Sequence, residues 1–103
     1  MALQAPSAEA LMRSRYSAYV LELGPYLLQT WHPSTRPSQP LRFEGGLKWL
    51  GLEIKRQIVT GACTAEVEFV ARSKVGGRAH RLHECSRFVQ EDGRWTYVNG
   101  DPL

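Results

Sequence analysis

The chain has 103 residues, of which 43% are hydrophobic and 22% are charged. A chain of this length builds one hydrophobic core and buries roughly two-thirds of its surface on folding, which excludes a second domain. The formal net charge of +3 is typical neither of a disordered chain nor of a heavily basic nucleic-acid-binding surface.

Neither a membrane helix nor a signal peptide is predicted. No apolar run approaches the roughly 20 residues that a membrane helix needs. Pro6, Glu9, Arg13 and Arg15 interrupt the region where a signal peptide is apolar. We therefore expect a cytoplasmic protein that makes no contact with a membrane.

Residues 1–6 are predicted to form a flexible tail, and residues 7–103 a single domain. Ser7 suits a helix N-cap, and the good helix formers after it predict a helix from about Ala8 to Leu23. One face of this helix is apolar, with Arg15 in its middle. The apolar positions are Ala8, Leu11, Met12, Tyr16, Tyr19 and Leu23.

The pattern then changes from helix to strand. Gly24 ends the first helix, and Pro25 suits the opening turn of a short second helix that extends to Trp31. The prolines of residues 33–40 predict an ordered loop. From Leu47 onward, apolar and charged residues alternate with the period of two that is typical of strands. In the first strand the alternating apolar residues are Leu50, Leu52, Ile54 and Ile58.

Two short turns fix the predicted register of the sheet. Gly76-Gly77 predicts a hairpin in which Val75 pairs with Arg78, and Asp92-Gly93 predicts a second one. The order of elements predicts an α+β fold, with N-terminal helices packed on a curved antiparallel sheet of about four strands. On its apolar face the register pairs Phe69 with Glu84, Val67 with Ser86, Phe88 with Tyr97, and Ser86 with Asn99.

Polar side chains fall on the face that the helices cover. Burying an unpaired guanidinium or carboxylate costs several kcal/mol, so these groups either find each other or line a wet cavity. Two interpretations stay open: a polar-lined ligand pocket, or one buried ion pair between Arg15 and Glu84 that fixes how the helix docks. The candidate binding residues here are Arg15, Tyr19, Glu84, Ser86, Tyr97 and Asn99, with Arg56 as a further candidate.

A second candidate site is the segment Thr30–Pro37. Loops on a rigid scaffold often carry binding residues, and a guanidinium suits a carboxylate or phosphate. The alternative is a self-satisfied turn in which hydroxyls bond the nearby backbone and Arg36 caps helix carbonyls. The candidate binding residues in this segment are Trp31, His32, Thr35 and Arg36.

No metal site and no cofactor are predicted. His32, His80 and His83 lack metal-ligand spacing with one another and with either cysteine. Cys63 and Cys85 form no Cys-x-x-Cys pair, and the predicted register sets them too far apart for a disulfide. Both are expected to be free thiols.

Four segments of the chain resemble the bacterial YchJ-like family: Ala10–Tyr19, Thr30–Pro37, Leu82–Phe88 and Trp95–Gly100. The strings RSRYSAY and TWHPSTRP are the most specific. The resemblance implies a nuclear-transport-factor-2-like domain, a cone of helices wrapped on a curved antiparallel sheet. In many relatives this domain adjoins cysteine-rich SEC-C motifs that bind zinc. This sequence contains none of those motifs, so the resemblance brings no zinc site with it.

Two classes of function remain open. The first is a non-enzymatic binding or accessory domain whose cone and loop receive a small anionic molecule or a peptide. The second is a small enzyme of the isomerase or hydrolase type, with Glu84 as general base and Tyr97 or Arg15 stabilising developing negative charge. The state of Glu84 discriminates between them, because a carboxylate locked by Arg15 stays ionised and weakly basic.

Two predictions concern macromolecular partners. The helices leave the outer face of the sheet uncovered, and domains on this scaffold frequently pair through that face, so a homodimer is predicted. Nucleic acid is not expected, because Trp49, Trp95 and Tyr97 accompany no row of basic residues. The outer face is predicted to carry Glu66, Glu68, Val70, His83 and Arg87.

Overall fold

A computed structural model describes residues 5–103 and has two helices and four strands. The strands form one antiparallel sheet in the order β1-β2-β3-β4, and α1 packs on one face of it. The predicted α+β architecture is therefore confirmed. The elements are α1 (Ala8–Val20), α2 (Gly24–Gln29), β1 (Lys48–Gly61), β2 (Thr64–Val75), β3 (Arg78–Glu91) and β4 (Arg94–Pro102).

The first helix begins where predicted and ends earlier. The Ser7 hydroxyl accepts a hydrogen bond from a first-turn amide. The helix stops at Val20, before the predicted end at Leu23. Glu22 adopts a φ of +56°, and the Leu23 amide donates to the Ala18 carbonyl at 2.8 Å. This 6→1 bond is that of a Schellman motif, which turns the chain into α2. Leu23 is consequently exposed, not on the apolar face.

The segment after α2 covers the free edge of β4. The sequence predicts that the second helix extends to Trp31, whereas α2 ends at Gln29. Trp31 then forms a parallel bridge with Tyr97. The His32 amide donates to the Tyr97 carbonyl at 2.7 Å, and the Tyr97 amide donates to the Thr30 carbonyl at 2.8 Å. The residues that lead into the predicted loop are thus fixed to the sheet by backbone hydrogen bonds.

The register between β2 and β3 is the predicted one along its whole length. It begins at the pair Val75 and Arg78 and continues to Thr64 and Val89. Gly76 and Gly77 both have positive φ, at +56° and +81°. These angles define a type I′ turn, whose twist matches that of the flanking strands.

The register between β3 and β4 follows the prediction only as far as Phe88 and Tyr97. A bulge at Val98 then pairs Asn99 with Arg87. The predicted pair of Asn99 with Ser86 is therefore wrong, and Asn99 lies on the outer face. The Val98 carbonyl accepts a hydrogen bond from the Thr35 hydroxyl at 2.6 Å.

Two bulges in β1 change which of its residues face the helices. Register shifts lie between Trp49 and Gly51 and between Ile54 and Arg56. Because an extra residue reverses the alternation, three predictions for this strand are wrong. Leu50 is 58% exposed, Ile58 pairs with outward-facing Glu66, and Arg56 lies on the outer face. Trp49 points toward the helices instead.

The hydrophobic core occupies one end of the inner sheet face. Ala5 packs against it from within the predicted tail, of which residues 1–4 lie outside the described residues. The core uses the first turns of α1, so the later turns of the helix cover the other end of the sheet. The buried cluster is Ala8, Leu11, Ala65, Val67 and Phe88.

Candidate functional site

A cavity of about 270 Å³ lies between the later turns of α1 and the inner face of the sheet. We call it the cone pocket. Its walls are mainly apolar and aromatic, with a few polar groups among them, which is the usual composition of small-molecule sites. It is lined by Met12, Arg15, Tyr16, Tyr19, Trp49, Phe69, Ala71, Leu82, Glu84, Ser86 and Tyr97.

Arg15 is buried in the wall of the pocket, with 3% of its surface exposed. Its Nη1 donates to the Leu27 carbonyl at 2.7 Å and lies 2.6 Å from the Thr30 hydroxyl. Its guanidinium carbon lies 5.2 Å from the ring centre of Trp31 and 4.7 Å from that of Tyr97. Burial lowers the pKa of Arg15. The guanidinium therefore joins α1 to the C-terminal end of α2, where a cation is favoured by the helix dipole.

Glu84 also faces the pocket, but it does not bind Arg15. Among residues 5–103, no lysine, arginine or histidine nitrogen lies within 4.0 Å of its carboxylate. The predicted ion pair is therefore wrong. Arg15 donates instead to a backbone carbonyl and a hydroxyl oxygen. Neither acceptor is charged, so the pattern of charges in the sequence does not indicate it. Both charged groups line one cavity without bonding each other.

Burial raises the pKa of Glu84. The Ser86 hydroxyl opposes this shift by hydrogen bonding to the carboxylate, and the negative charge of Asp101 adds to it. Burial also raises the pKa of Tyr97, and the charge of Glu84 raises it further. The two candidate catalytic residues are thus electrostatically coupled, and both are shifted toward their protonated forms.

Gly100 leaves room for the Glu84 carboxyl group. A Cβ atom at this position would lie 3.1 Å from Glu84 Cδ, 3.1 Å from Ser86 Oγ and 3.2 Å from the Cys85 carbonyl. These distances are shorter than ordinary van der Waals contacts. The bulge at Val98 places this glycine opposite Ser86, where the sequence predicted Asn99.

The Thr30–Pro37 segment forms a turn whose polar side chains bond partly within the segment and partly to the neighbouring strands. Arg36 donates from Nε at 3.0 Å and from Nη2 at 2.8 Å to the Trp31 carbonyl. His32 Nδ1 bonds the Ser34 hydroxyl at 2.7 Å, and its Nε2 lies 3.0 Å from Glu91. The Arg36 contact matches the self-satisfied alternative in part, since the carbonyl that it binds lies just beyond α2. The Thr35 hydroxyl donates instead to the Val98 carbonyl of β4, and Trp31 Nε1 is buried without a hydrogen-bond partner among the described residues. Trp31, His32, Thr35 and Arg36 lie outside the lining of the cone pocket. Ligand binding by this loop stays a prediction.

The outer face of the sheet carries paired charges. Glu68 accepts from Arg56 and bonds His83, each at 2.7 Å. Arg87 pairs with Asp101 and donates to Asn99. The predicted outer-face residues lie where expected, and pairing of two copies through this face stays a prediction.

Both cysteines are free, as predicted.

Part of the aromatic wall of the cone pocket was not predicted from the sequence. Tyr16 and Trp49 contact each other edge to face with ring centres 5.7 Å apart, and Trp49 lies 6.1 Å from Tyr19. The helix pattern already placed both tyrosines toward the sheet. Trp49 was not assigned to the pocket, because a bulge at Leu50 has no reliable signal in a single sequence.

Two further cavities adjoin the cone pocket. One of about 500 Å³ lies between the end of α1 and residues 42–50. The other, of about 460 Å³, lies along the far end of the β2–β3 hairpin. Trp49 lines all three. Over residues 5–103, no three metal-binding side chains cluster, and none of the helices is both long and apolar enough to span a bilayer.

Helices on one face of a four-stranded antiparallel sheet, with a pocket between the layers, are the architecture expected of a nuclear-transport-factor-2-like domain. A family model described as "YchJ, middle NTF2-like domain" matches residues 7–100. The chain belongs to this YchJ family. The family resemblance drawn from the sequence motifs is confirmed.

Relatives of similar sequence are UPF0225 proteins from bacteria. One from Methylibium petroleiphilum is 61% identical over 100 residues, covering 97% of this chain and 74% of that protein. One from Bordetella pertussis is 61% identical over 99 residues, covering 96% of this chain and 74% of that protein. These names assign no activity.

Two solved structures of SEC-C motif containing proteins share the fold. The solution structure from Rhodopseudomonas palustris has a TM-score of 0.85 at 32% identity and covers 98% of this chain and 82% of that one. The crystal structure from Psychrobacter arcticus has a TM-score of 0.79 at 29% identity, with coverages of 96% and 62%. These similarities support the fold independently of the sequence motifs.

Proposed function

We propose that this domain binds a small molecule in the cone pocket, with an apolar body against the aromatic wall and an amine or hydroxyl donor on Glu84. The observation that carries this proposal is a carboxylate facing a largely apolar cavity with no cation bound to it among the described residues. Among the described residues the Ser86 hydroxyl is the hydrogen-bond partner of this carboxylate, so acceptor capacity remains for a ligand that supplies a donor.

The environments of the two charged groups favour a donor over an anion. Nη1 of Arg15 already has two acceptors, and the rings of Trp31 and Tyr97 lie near its guanidinium. Nη1 of this guanidinium is already bonded by the protein, and an anion that approached its other nitrogens would also meet the charge of Glu84. An amine or hydroxyl meets a carboxylate that still has acceptor capacity. The anionic ligand or peptide suggested by the sequence becomes the competing outcome of the test.

A matched pair of indole compounds tests this proposal. Tryptamine and indole-3-acetate have similar flat bodies and opposite charges. We expect tryptamine to shift the amide NMR signals of residues lining the cone pocket, with Glu84→Gln weakening this binding at least tenfold. Glu66→Gln, on the opposite face of the sheet, should bind like the parent. Stronger binding of indole-3-acetate, or equal tryptamine binding by parent and Glu84→Gln, would refute the role given to Glu84.

An isomerase- or hydrolase-type enzyme is the second candidate. The observation that favours it is the freedom of Glu84 from Arg15, together with the burial that raises its pKa. A general base working near neutral pH needs such a shift. Tyr97 is close enough for its pKa to respond to the charge of Glu84, so its hydroxyl is the candidate donor to a developing negative charge.

The raised pKa of Glu84 has a measurable effect on stability. An unfolded glutamate titrates near pH ~4.3. Between that pH and its higher folded pKa, the folded state holds a proton that the unfolded state has lost. The free energy of unfolding therefore falls as pH rises through this window. We expect Glu84→Gln to be more stable than the parent at pH 7, with the difference disappearing below pH about 4.

Glu68→Gln is the control of opposite sign. Hydrogen bonds from His83 and Arg56 lower the pKa of Glu68, so its replacement should reduce stability at pH 7. Urea unfolding at several pH values measures both effects. A Glu84→Gln protein that is less stable than the parent at pH 7, but not at pH 4, would mean that the ionised Glu84 is stabilised in the fold.

The expected location in the cytoplasm stays a prediction.

A further inference from the structure

The strand register assembles a basic patch that the linear sequence does not display. Lys48 on β1 pairs with Lys74 on β2, and Arg72 on β2 pairs with Arg81 on β3. Arg72 and Lys74 are two residues apart on one strand, so all four side chains share the outer face. We call Lys48, Arg72, Lys74 and Arg81 the basic patch. All four residues are exposed.

Like charges stand directly opposite each other in both rows of the patch. Side chains paired across antiparallel strands have Cβ atoms about 5 Å apart, and like charges at that distance repel. Within residues 5–103, the sole carboxylate contact is Glu53, at 3.9 Å from Arg72. Its other oxygen binds Lys55 at 2.8 Å. The charge of Glu53 also acts on Arg81, so one carboxylate, itself bonded to Lys55, faces four cations and the patch keeps a net positive charge.

Elsewhere on the same face the cations are neutralised. Arg56 and His83 share Glu68, and Arg87 pairs with Asp101. The concentration of uncompensated positive charge is therefore a local property of the far end of the sheet. A net charge of only +3 for the whole chain conceals it.

We propose that the basic patch binds the phosphate backbone of a nucleic acid. Guanidinium groups bind phosphate through paired hydrogen bonds, and the two rows, about 6.7 Å apart along the strand, spread the charge as a polyanion requires. A protein partner is less suited, because the core of a protein interface needs large apolar anchors. Besides the four cations, the two rows hold only Gly51 and Ala79. The net charge and the lack of a basic row in the sequence argued against nucleic acid; the cross-strand pairing supplies that row.

The salt dependence of binding tests the proposal. The probe is a fluorescein-labelled, mixed-sequence single-stranded RNA of 20 nucleotides, followed by anisotropy. Four phosphate contacts predict a slope of log K against log salt of about −2.8, so the affinity should fall about 50-fold between 50 and 200 mM salt. Arg72→Gln/Arg81→Gln should halve the slope and reduce the fall to about 7-fold.

A charge-matched variant and two competitors complete the experiment. Arg13→Gln/Arg94→Gln carries the same net charge, changes two exposed arginines away from the patch and should keep the parent slope. Thermal unfolding should show that the patch variant is at least as stable as the parent, since repulsion is relieved. Equal weakening by both double variants would overturn the proposal, as would a slope near zero. Tighter binding of polyglutamate or of anionic lipid vesicles than of the RNA would also overturn it.

Discussion

Replacing Arg15 by alanine is expected to lower the free energy of unfolding by about 3 to 5 kcal/mol, through the cavity it leaves and the lost charged hydrogen bonds. The guanidinium is almost fully buried, bonds Leu27 and Thr30, and lies against Trp31 and Tyr97. Its removal takes the charged donor away from the Leu27 carbonyl and the Thr30 hydroxyl, and leaves two rings without their neighbour. Urea unfolding followed by circular dichroism measures the loss.

Arg15→Lys separates charge from shape. A lysine keeps the positive charge, but it lacks the planar group that stacks on aromatic rings. We expect an intermediate loss. An Arg15→Ala protein within about 1 kcal/mol of the parent, the range of exposed charged contacts, would show that the buried guanidinium contributes little to joining the helices.

Replacing Phe88 by alanine should also cost about 3 to 5 kcal/mol, the usual loss for a buried aromatic residue. Phe88 is 1% exposed and meets Tyr97 edge to face, with ring centres 5.8 Å apart. It lies between the core and the pocket, so its loss removes support from the tyrosine as well. A domain of this size loses roughly 4 to 8 °C of melting temperature for each kcal/mol.

Val59→Ala is the matched control for Phe88→Ala. Val59 pairs across the sheet with buried Ala65 but is itself 72% exposed. Its truncation should change the free energy of unfolding by no more than about 0.5 kcal/mol. Calorimetry of both variants compares them directly. Similar losses in the two proteins would contradict the assignment of Phe88 to the core.

The sequence predicted the parts of the fold that short-range chemistry determines. The Gly76-Gly77 turn specified every pair between β2 and β3, because a two-residue turn leaves no freedom of register. It also placed Glu84 and Ser86 on the covered face. The bulges at Leu50 and Val98 were not predicted, because a bulge depends on what packs against it. They moved Trp49 into the pocket and Asn99 out of it.

The burial of Arg15 was predictable and its partners were not. Its position on the helix placed it toward the sheet, which the structure confirms. The expected partner was the nearest opposite charge, Glu84. The observed acceptors are the Leu27 carbonyl and the Thr30 hydroxyl, whose availability depends on where α2 ends. A pattern of side chains does not specify which backbone carbonyls a helix end leaves free.

The position of Trp49 has a thermodynamic consequence for the three cavities that it lines. All three cavities share this residue in their lining, so a change of its rotamer would alter all three shapes at once. Immobilising this ring costs conformational entropy. If a first ligand in the cone pocket immobilises it, a second ligand in a neighbouring cavity meets a smaller entropy cost. Linkage would make that effect reciprocal, so we expect occupancy of the cone pocket and of the two neighbouring cavities to be cooperative through this single side chain.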